Sequence, residues 1–523
     1  MAALSASSIF VAFTFDRSFI IGTSSYWQSQ VDDVTQYIAG FNMFFTAPWR
    51  FPLLAFDNLN YPDGTRVTFV DAIPLFALVL KVILPTSLAP FNPFGLWVSL
   101  CFILQGTGAW WIARTLRKNS WAFLIALVAV LLTFPALMAR LGHISLMSHW
   151  LLLFAIALYI QSHQRSALPK WSWTIFLIAA FYINIYLFAM SSGFMLAALF
   201  SLRRGIVLDD VLTFFLPFAL LAASLFITLF PLPDAGITRE GGFGHYSMNL
   251  LAPLIGGKLF ALHATEAPGQ YEGFNYLGLG VLVGLGSTFL FKEKLLKDAI
   301  QNHKALIFIL IIYATYALSN QIYFGSQKIL TLSYPGVLNG ITSQFRVSGR
   351  FFWPVGYCIV IYVFVFLHRR LDSRTFVLAA TLLTGLQLAD LEDRYKIMRA
   401  TALRTSPQPM DYSKWDLAIR GDIKTLYFYP KFKCGSQPFE TLMPVMRYAA
   451  ERNLKLNTGY IARYSPDCQD VKSEIKGSQF EHSAYIFANA DYPKIEDIIA
   501  LFPENLHMRC SEIQFARVCV SAH

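Results

Sequence analysis

The sequence has few charged residues. Asp, Glu, Lys and Arg make up 14% of its 523 residues, whereas a soluble domain carries about 25%. Hydrophobic residues account for 55%, and they recur in apolar runs of about 20 residues, the length that a helix needs to cross a bilayer. The shortage of charge excludes an ordinary soluble fold and predicts a polytopic helical membrane protein.

Charged residues are also missing from the centres of most apolar segments. Charges inside a bilayer usually mark ion or proton pathways, so their absence argues against a coupled transporter. The polar clusters lie instead at the ends of apolar segments and in the loops between them, which favours chemistry at the membrane surface. The net charge of +10 does not indicate a nucleic-acid partner, because short cytoplasmic loops of membrane proteins carry an excess of Lys and Arg.

The apolar segments predict an all-α membrane bundle of about 11 transmembrane helices, and we assign them to a domain of residues 1–390. Several connections are basic, for example 114–118, 203–204 and 369–374, and the positive-inside rule places these in the cytoplasm. The remaining long connections are then expected on the outer side, and they are the loops 23–71, 231–275 and 320–350.

Two stretches complicate this topology. Residues 1–22 lack a basic leader and a clear cleavage site, so we expect a short first span and not a signal peptide. Segment 72–90 contains several prolines, and a full crossing there would leave Arg114 on the outer side. We therefore expect a re-entrant course or a partial crossing, which is tolerated where protein or water covers the free backbone.

The region after residue 390 has a different composition. Short apolar runs at 425–429 and 484–487 alternate with helix-like stretches such as 439–453. This alternation predicts a small, water-exposed α/β domain over residues 391–523. The topology places that domain on the outer, periplasmic side of the membrane.

Four of the six cysteines fall in this polar region, and they are Cys434, Cys468, Cys510 and Cys519. An even number confined to one soluble domain favours two disulfides and an oxidising compartment. Zinc is disfavoured because the spacings contain no Cys-x-x-Cys pair. Four free buried thiols are the alternative, and the sequence does not specify which cysteines pair.

Several acids follow the first apolar segment. Asp32 and Asp33 precede an amphipathic stretch, and a carboxylate in this loop can act as a general base for a substrate hydroxyl. The alternative is structural, because Asp is favoured at the start of a helix. The residues alone leave both roles open for these two acids.

Basic side chains lie at two other predicted outer boundaries. Arg346 and Arg350 are one turn apart above an aromatic segment, at the height of a lipid phosphate, which guanidinium groups bind well. Beside Arg140, His143 and His149 lie about two turns apart and are expected on one helix face, where they can assist in binding phosphate. The alternative is a snorkelling Arg140 and two histidines bonded within the bundle.

The loop 231–275 combines glycines with aromatic and amide side chains. Tyr246, Asn249, Gln270 and Glu272 are candidates for sugar binding, since rings stack on sugar faces and amides bond to hydroxyls. The alternative is an ordinary ordered loop whose glycines permit turns.

Six stretches together resemble a bacterial family of multi-spanning membrane proteins of unknown function, distantly similar to the GT-C glycosyltransferases, which use polyprenyl-phosphate sugars. The matching stretches are 33–40, 69–75, 143–150, 244–251, 270–278 and 348–354. The spacing from Asp33 to Gln36 and Gly40 matches the family pattern, so the resemblance implies that Asp33 is the base and leaves the capping role to Asp32. The sequence departs from it at Tyr37, where a His is expected, and at Ala72, where a Ser is expected.

The resemblance implies a GT-C-like bundle with its active site at the periplasmic face of a bacterial inner membrane. Asp33 would be the catalytic base of a glycosyltransferase that moves a sugar from a polyprenyl-phosphate donor to a surface glycan or lipid. The expected enzyme is either metal-independent or weakly dependent on a divalent metal, and no other cofactor is expected. The alternatives are a transporter or flippase for lipid-linked glycans and a non-catalytic membrane subunit.

Overall fold

The computed structural model describes residues 2–118, 120–232, 238–262, 267–289, 294–419, 422–436, 439–469 and 471–522. Most of these residues are helical. The α-helices are α1 (Ala2–Thr14), α2 (Arg17–Ile20), α3 (Asp33–Thr46), α4 (Pro74–Ile83), α5 (Phe94–Thr115), α6 (Trp121–Leu132), α7 (Pro135–Met138), α8 (Trp150–Arg165), α9 (Lys170–Ile183), α10 (Ile185–Phe200), α11 (Leu208–Thr228), α12 (Leu279–Thr288), α13 (Lys294–Asn302), α14 (Lys304–Leu318), α15 (Asn339–Gln344), α16 (Trp353–Arg370), α17 (Ser373–Asp390), α18 (Glu392–Leu403), α19 (Tyr412–Ala418), α20 (Leu442–Glu451), α21 (Val471–Lys476) and α22 (Ile495–Ile499).

The strands are short and belong to three separate sheets. They are β1 (Ala55–Phe56), β2 (Thr65–Arg66), β3 (Gln321–Phe324), β4 (Gln327–Thr331), β5 (Thr425–Tyr429), β6 (Lys455–Leu456), β7 (Ser483–Ala488), β8 (Met508–Ile513) and β9 (Ala516–Ser521). β1 pairs with β2, and β3 pairs with β4, both in antiparallel fashion. The other five strands form the sheet of the C-terminal region.

The chain divides into two groups of elements. The bundle unit comprises Met1–Ile20, Leu96–Leu221 and Arg239–Ala402, and the sheet unit comprises Ile21–Gly95, Ala222–Thr238 and Leu403–His523. The predicted outer loop 23–71 therefore shares a unit with the C-terminal region. The proposed domains 1–390 and 391–523 stay a prediction.

Five helical stretches in the described part of the chain are long and apolar enough to cross a membrane, or six if the bent pair α17–α18 counts as one span. The five are Phe94–Thr115, Trp121–Met138, Ile144–Arg165, Leu208–Thr228 and Ser348–Arg370. These helices support a membrane protein, but the predicted number of about 11 spans is not supported. Several of the predicted spans are helices of only 10–17 residues.

The break between α9 and α10 shows why some predicted spans are short helices. The side chain of Asn184 accepts hydrogen bonds from the backbone N–H groups of Tyr186 and Leu187, which caps α10 and ends α9. α9 has 14 residues and is about 21 Å long, whereas the hydrocarbon core is about 30 Å thick. Neither helix is long enough by itself to be counted as a span.

The C-terminal sheet has the strand order β6-β5-β7-β9-β8. β5 is parallel to β6 and β7, whereas β9 is antiparallel to β7 and β8. Tyr427 and Tyr429 on β5 face Tyr485 and Phe487 on β7 in register, and all four side chains are buried. Aromatic cross-strand pairs of this kind stabilise a sheet, and the predicted small sheet-bearing C-terminal region is confirmed.

The sheet unit is assembled from distant parts of the sequence. α3 packs against α20, and the two facing helices are almost fully buried. The backbone N–H of Tyr61 donates to the carbonyl of Leu456, and the N–H of Leu456 donates to the carbonyl of Asn58. The first loop therefore pairs with β6 at the edge of the sheet. The loop and the C-terminal region thus share one core.

Two disulfides join the four cysteines of this region. Cys434 pairs with Cys468, and Cys510 on β8 pairs with the directly opposite Cys519 on β9. The prediction of two disulfides is confirmed, and the pairing that the sequence left open is supplied. Cys101 and Cys358 carry free thiols.

Helix α4 lies in segment 72–90, for which the sequence predicts a re-entrant course or a partial crossing. It has 10 residues, about 15 Å of helix, so it does not cross a bilayer by itself. Its apolar Val82 and Ile83 are exposed, whereas Lys81 is 6% exposed. The Lys81 ammonium donates to the carbonyls of Phe44 and Ala47 at 2.6 and 2.8 Å, where α3 ends. A cation at a helix C-terminus is favourable, and here it also satisfies free carbonyls.

Replacing Lys81 with methionine is expected to lower the free energy of unfolding by about 1–3 kcal/mol, because two buried carbonyls lose a charged donor. Chemical denaturation of the full chain in detergent measures this loss. Lys414→Met is the matched control, since the Lys414 side chain is 63% exposed. Equal effects of the two changes would contradict the assigned role of Lys81.

Candidate functional site

The candidate site is built on two short 3-10 turns of the bundle unit. One turn spans Gln270–Gly273 and the other spans Ser348–Phe352, directly before α16. They meet backbone to backbone, since a Cβ atom on Gly349 would lie 2.5 Å from the Cα of Gly273. The side-chain amide of Asn275 donates to the carbonyls of Gly273 and Gly349, each at 2.9 Å, and ties the turns together.

The two turns bring Glu272 against basic residues that are distant in sequence. The Oε2 atom of Glu272 lies 2.5 Å from Nη1 of Arg140 and 3.0 Å from Nη2 of Arg350. Its Oε1 atom lies 3.0 Å from Nε2 of His143. Arg140 also donates to the backbone carbonyl of Glu272 at 3.0 Å. We call Arg140, His143, Glu272 and Arg350 the anion cluster.

The anion cluster is buried at its centre and open at one edge. The side chains of Arg140, Glu272 and Arg350 are 3%, 7% and 11% exposed, whereas that of His143 is 32% exposed. Burial raises the pKa of Glu272, but Arg350, His143 and Arg140 together outweigh burial, and the pKa of this carboxyl lies well below its usual range. Two guanidinium groups and one carboxylate leave the cluster with a net positive charge, which a ligand of opposite sign would balance.

The inner side of the anion cluster is aromatic. The Arg140 guanidinium lies 5.6 Å from the ring centroid of Trp353, and its Nε has no hydrogen-bond partner among the described residues. Burial lowers the pKa of Arg140, and Glu272 opposes this effect. Arginine nevertheless stays charged, because its intrinsic pKa is so high. Trp353 therefore packs close to a permanent buried cation.

His149 packs against Trp353 and bonds to Tyr357, not to a member of the anion cluster. Its ring centroid is 4.2 Å from that of Trp353, and its Nδ1 is 2.8 Å from the hydroxyl of Tyr357. Gln105 donates to the same hydroxyl at 2.9 Å. His149 is fully buried. This position matches the structural alternative of a histidine bonded within the bundle, and its phosphate-binding role stays a prediction.

Asn249 and Gln270, both candidates for sugar binding, make internal hydrogen bonds. Asn249 donates to the carbonyl of Gly325 at 2.8 Å and accepts from its N–H at 3.0 Å, which holds the β3–β4 turn. Gln270 accepts from Asn249 at 2.9 Å and donates to Ser247 at 3.3 Å. Each is 1% exposed. Both amides already serve the fold, and a sugar contact remains a prediction for them.

Arg346 has its own acidic partner and is separate from Arg350. Its Nη2 lies 3.1 Å from Glu240, and its Nη1 donates to the carbonyl of Gly241 at 3.1 Å. The guanidinium also lies 5.7 Å from the ring centroid of Tyr246. The carbonyl of Tyr246 accepts from the N–H of Gly349 at 3.1 Å. Tyr246 therefore contacts both Arg346 and the turn that carries Arg350.

Asp33 belongs to the sheet unit, where it is half-buried in the first turn of α3. Burial raises the pKa of Tyr26, Arg404 opposes this, and Asp32 and Asp33 both add to it, so the tyrosine lies within electrostatic range of both acids. One turn after Asp33, Gln36 donates to the carbonyl of Tyr460 at 2.9 Å. The C-terminal region therefore covers this end of α3.

Asp32 occupies the N-cap position of α3, but its side chain does not cap the helix. Its carboxylate accepts from the Ser29 hydroxyl at 2.9 Å and pairs with Arg404 at 2.5 Å. The capping role predicted for its side chain is therefore wrong, because a hydroxyl and a guanidinium bind the carboxylate instead.

Trp353, Tyr357 and Gln105 complete the surroundings of the site but were missed in the sequence. Gln105 is a polar residue inside the apolar helix α5, and such residues usually have a specific partner. That signal was readable, whereas an aromatic residue in an apolar span carries none. In the described part of the chain, no group of three or more His, Cys, Asp or Glu residues is arranged to hold a metal ion.

Comparison with known proteins identifies the family. Residues 3–392 match the model described as a domain of unknown function, DUF6311, and residues 414–521 match the DUF6311 C-terminal domain. No curated protein matches the chain. The expected membership in a family of unknown function is confirmed, and the first match covers well over half of the sequence. The chain belongs to the DUF6311 family.

Proposed function

We propose that this protein is a membrane glycosyltransferase that moves a sugar from a polyprenyl-phosphate donor to a glycan or lipid acceptor. The observation that carries the proposal is the anion cluster, a net positive charge buried around Glu272 at the ends of two helical stretches that can span a membrane. The resemblance to GT-C glycosyltransferases supports the same class of reaction. Fold-level resemblance alone would be a weak reason.

The proposed reaction needs a site for a leaving phosphate. The acceptor oxygen bonds to the anomeric carbon of the sugar, the bond from that carbon to the phosphate oxygen breaks, and the electron pair leaves with the phosphate. Preorganised guanidinium groups in a poorly hydrated site stabilise such a developing charge. Arg350 and the partly exposed His143 are the members of the anion cluster that would contact the leaving phosphate.

Glu272 suits this role as an internal counter-ion. Two guanidinium groups this close would repel each other without it, and its carboxylate orients both through charge-assisted hydrogen bonds. In this proposal Glu272 therefore supports the phosphate site and does not bind the sugar. Asp33 keeps the role of base and takes the proton of the acceptor hydroxyl.

A discharge assay tests the proposal. The full chain is reconstituted in nanodiscs with a panel of polyprenyl-phosphate sugars and candidate acceptors, with and without a divalent metal, and release of polyprenyl phosphate is measured. At least one donor should be discharged, and Arg350→Gln should slow the reaction by roughly 100-fold, the usual cost of losing one oxyanion donor.

Arg370→Gln is the matched control, because Arg370 is exposed at the other end of α16. It should retain the wild-type rate. Failure to discharge any donor, together with failure to bind polyprenyl phosphate, would contradict the proposal. Movement of an intact donor across the bilayer would instead favour the transporter.

A further inference from the structure

The helices that hold the anion cluster carry a second group of basic residues at their opposite ends. The stretch Ile144–Arg165 starts next to His143 and has His163 in its last turn. The stretch Ser348–Arg370 starts next to Arg350 and has His368 and Arg369 in its last turn. Each has at least 22 residues, so roughly 30 Å separates the two groups.

This second group has a connected floor of histidine and tyrosine side chains. The rings of His163 and His303 lie 4.6 Å apart between centroids. The Nδ1 of His303 is 2.8 Å from the hydroxyl of Tyr159, and Nε2 of His163 is 3.4 Å from Nη2 of Arg203. Lys118 approaches Nδ1 of His368 at 3.2 Å. We call Lys118, His163, Arg203, His303, His368 and Arg369 the basic basin.

The cations of the basic basin lack acidic partners among the described residues. Lys118, Arg203 and Arg369 form no ion pair with a described carboxylate, in contrast to Arg204, which pairs with Asp210 at 2.7 Å. Asp372 is the acid nearest to Arg369 along the chain, and it accepts hydrogen bonds from backbone N–H groups and from Thr375 at the start of α17. No described carboxylate therefore pairs with these three cations.

Electrostatic interactions link the two halves of the basin, one around His163 and His303 and the other around Lys118 and His368. Burial, and after it the charges of His163, Arg369 and Arg203, together lower the pKa of His303 to about 4. Burial and then Arg369 lower the pKa of Lys118. Arg369 thus acts on groups in both halves, and among the described residues the charges that lower the pKa of His303 are all positive.

The basin also has an unsatisfied buried atom at its floor. His163 is 7% exposed, and its Nδ1 has no hydrogen-bond partner among the described residues. Arg203 and Arg369 are exposed at the rim. A buried polar atom without a partner is costly, and exposed arginines around a buried histidine floor suit an anion that enters from the surface.

We propose that the basic basin binds a phosphate group, supplied by a lipid headgroup or by free phosphate. Three cations and a histidine floor match the charge and the acceptor oxygens of a phosphate, which guanidinium groups bind in bidentate fashion. The anion cluster is at the other end of the same helices, so this site is separate from the one in the proposed glycosyltransferase and does not depend on that proposal.

The test uses the full chain in nanodiscs and follows its thermal unfolding by tryptophan fluorescence. Phosphatidylcholine discs are titrated with inorganic phosphate, and a second set of discs contains increasing phosphatidylglycerol. One or both probes should raise the unfolding temperature of the wild type. Stabilisation by inorganic phosphate assigns the site to free phosphate, and stabilisation by phosphatidylglycerol alone assigns it to a lipid headgroup.

Arg203→Gln/Arg369→Gln should weaken the apparent affinity for the active probe by about tenfold or more, since it removes two charge-assisted contacts. Arg117→Gln/Arg370→Gln removes the same charge at exposed positions outside the basin and should leave the affinity unchanged. Lys118→Gln provides a milder second variant should the double variant misfold. The proposal is overturned if neither probe stabilises the wild type, or if the basin and control variants lose affinity equally.

Discussion

Glu272→Gln is expected to lower the free energy of unfolding by about 3–5 kcal/mol, the usual cost of removing one partner of a buried ion pair. The carboxylate is the counter-ion of both Arg140 and Arg350, and their side chains are 3% and 11% exposed. Glutamine keeps the shape and some hydrogen bonds but leaves two buried cations facing each other. Thermal and chemical unfolding in detergent, followed by tryptophan fluorescence, measures the loss.

Glu392→Gln is the matched control for this change. Glu392 pairs with Lys258 and Lys396, but its side chain is 44% exposed, and exposed ion pairs contribute little to stability. The control should unfold near the wild-type temperature. If both variants were equally stable, the counter-ion role of Glu272 would be wrong.

The contribution of Glu272 should also depend on pH in one direction. Its pKa is lower in the folded than in the unfolded chain, so its stabilisation is fully present above the ordinary carboxyl pKa of about 4.3. It is lost as the pH falls from there towards the folded-state pKa. The stability difference between wild type and Glu272→Gln should therefore be constant above about pH 5 and shrink below it. A difference that grows in acid would contradict this sign.

Asp33→Asn is expected to reduce sugar transfer by about 10²–10⁴-fold, the range over which a positioned general base contributes. Asparagine has nearly the same size, so α3 and the covering contact from Gln36 to Tyr460 should persist. The donor should still bind, because the anion cluster is untouched. Transfer rate and polyprenyl-phosphate affinity, measured separately on the reconstituted chain, distinguish lost chemistry from lost binding.

Asp32→Asn controls for the acidity of the loop. Asp32 is the neighbouring residue, and its carboxylate is bound by Ser29 and Arg404. This variant should transfer sugar at close to the wild-type rate. Undiminished transfer by Asp33→Asn, or an equal loss in both variants, would remove Asp33 from the role of base.

The sequence identified the residue types of the anion cluster but not their contacts. Arg140 and Glu272 are 132 residues apart, and Glu272 and Arg350 are 78 apart. Composition places each of them at a predicted outer boundary or loop, whereas their convergence depends on how two glycine-containing turns pack. The sequence alone therefore predicts a sugar-binding role for Glu272, because its basic partners are not neighbours in the sequence.

The separation of His143 from His149 has a local cause. The two residues were expected on one face of a regular α-helix, but Ile144–Met147 forms a 3-10 helix between them. A 3-10 helix has about 3.0 residues per turn and an α-helix about 3.6, so the side-chain directions shift. His149 consequently faces Tyr357, whereas His143 reaches Glu272.

Helix number was overestimated for a related reason. Average hydrophobicity detects apolar segments, but it does not detect where a side chain ends a helix, as Asn184 does between α9 and α10. Conversely, the sheet of the C-terminal region and its two disulfides were predictable, because strand alternation and an even number of cysteines are local signals.

Because the sheet unit is assembled from distant stretches, its packing partners are synthesised at different times. α3 is synthesised roughly 400 residues before α20, and ribosomes add about 5–20 residues each second. For about 20–80 seconds, the twelve consecutive residues of α3 that end up buried lack the surface that finally covers them. The residue proposed as the base is therefore held in place only after the rest of the chain has been made, and a truncated product would lack this arrangement even if every apolar helix had inserted.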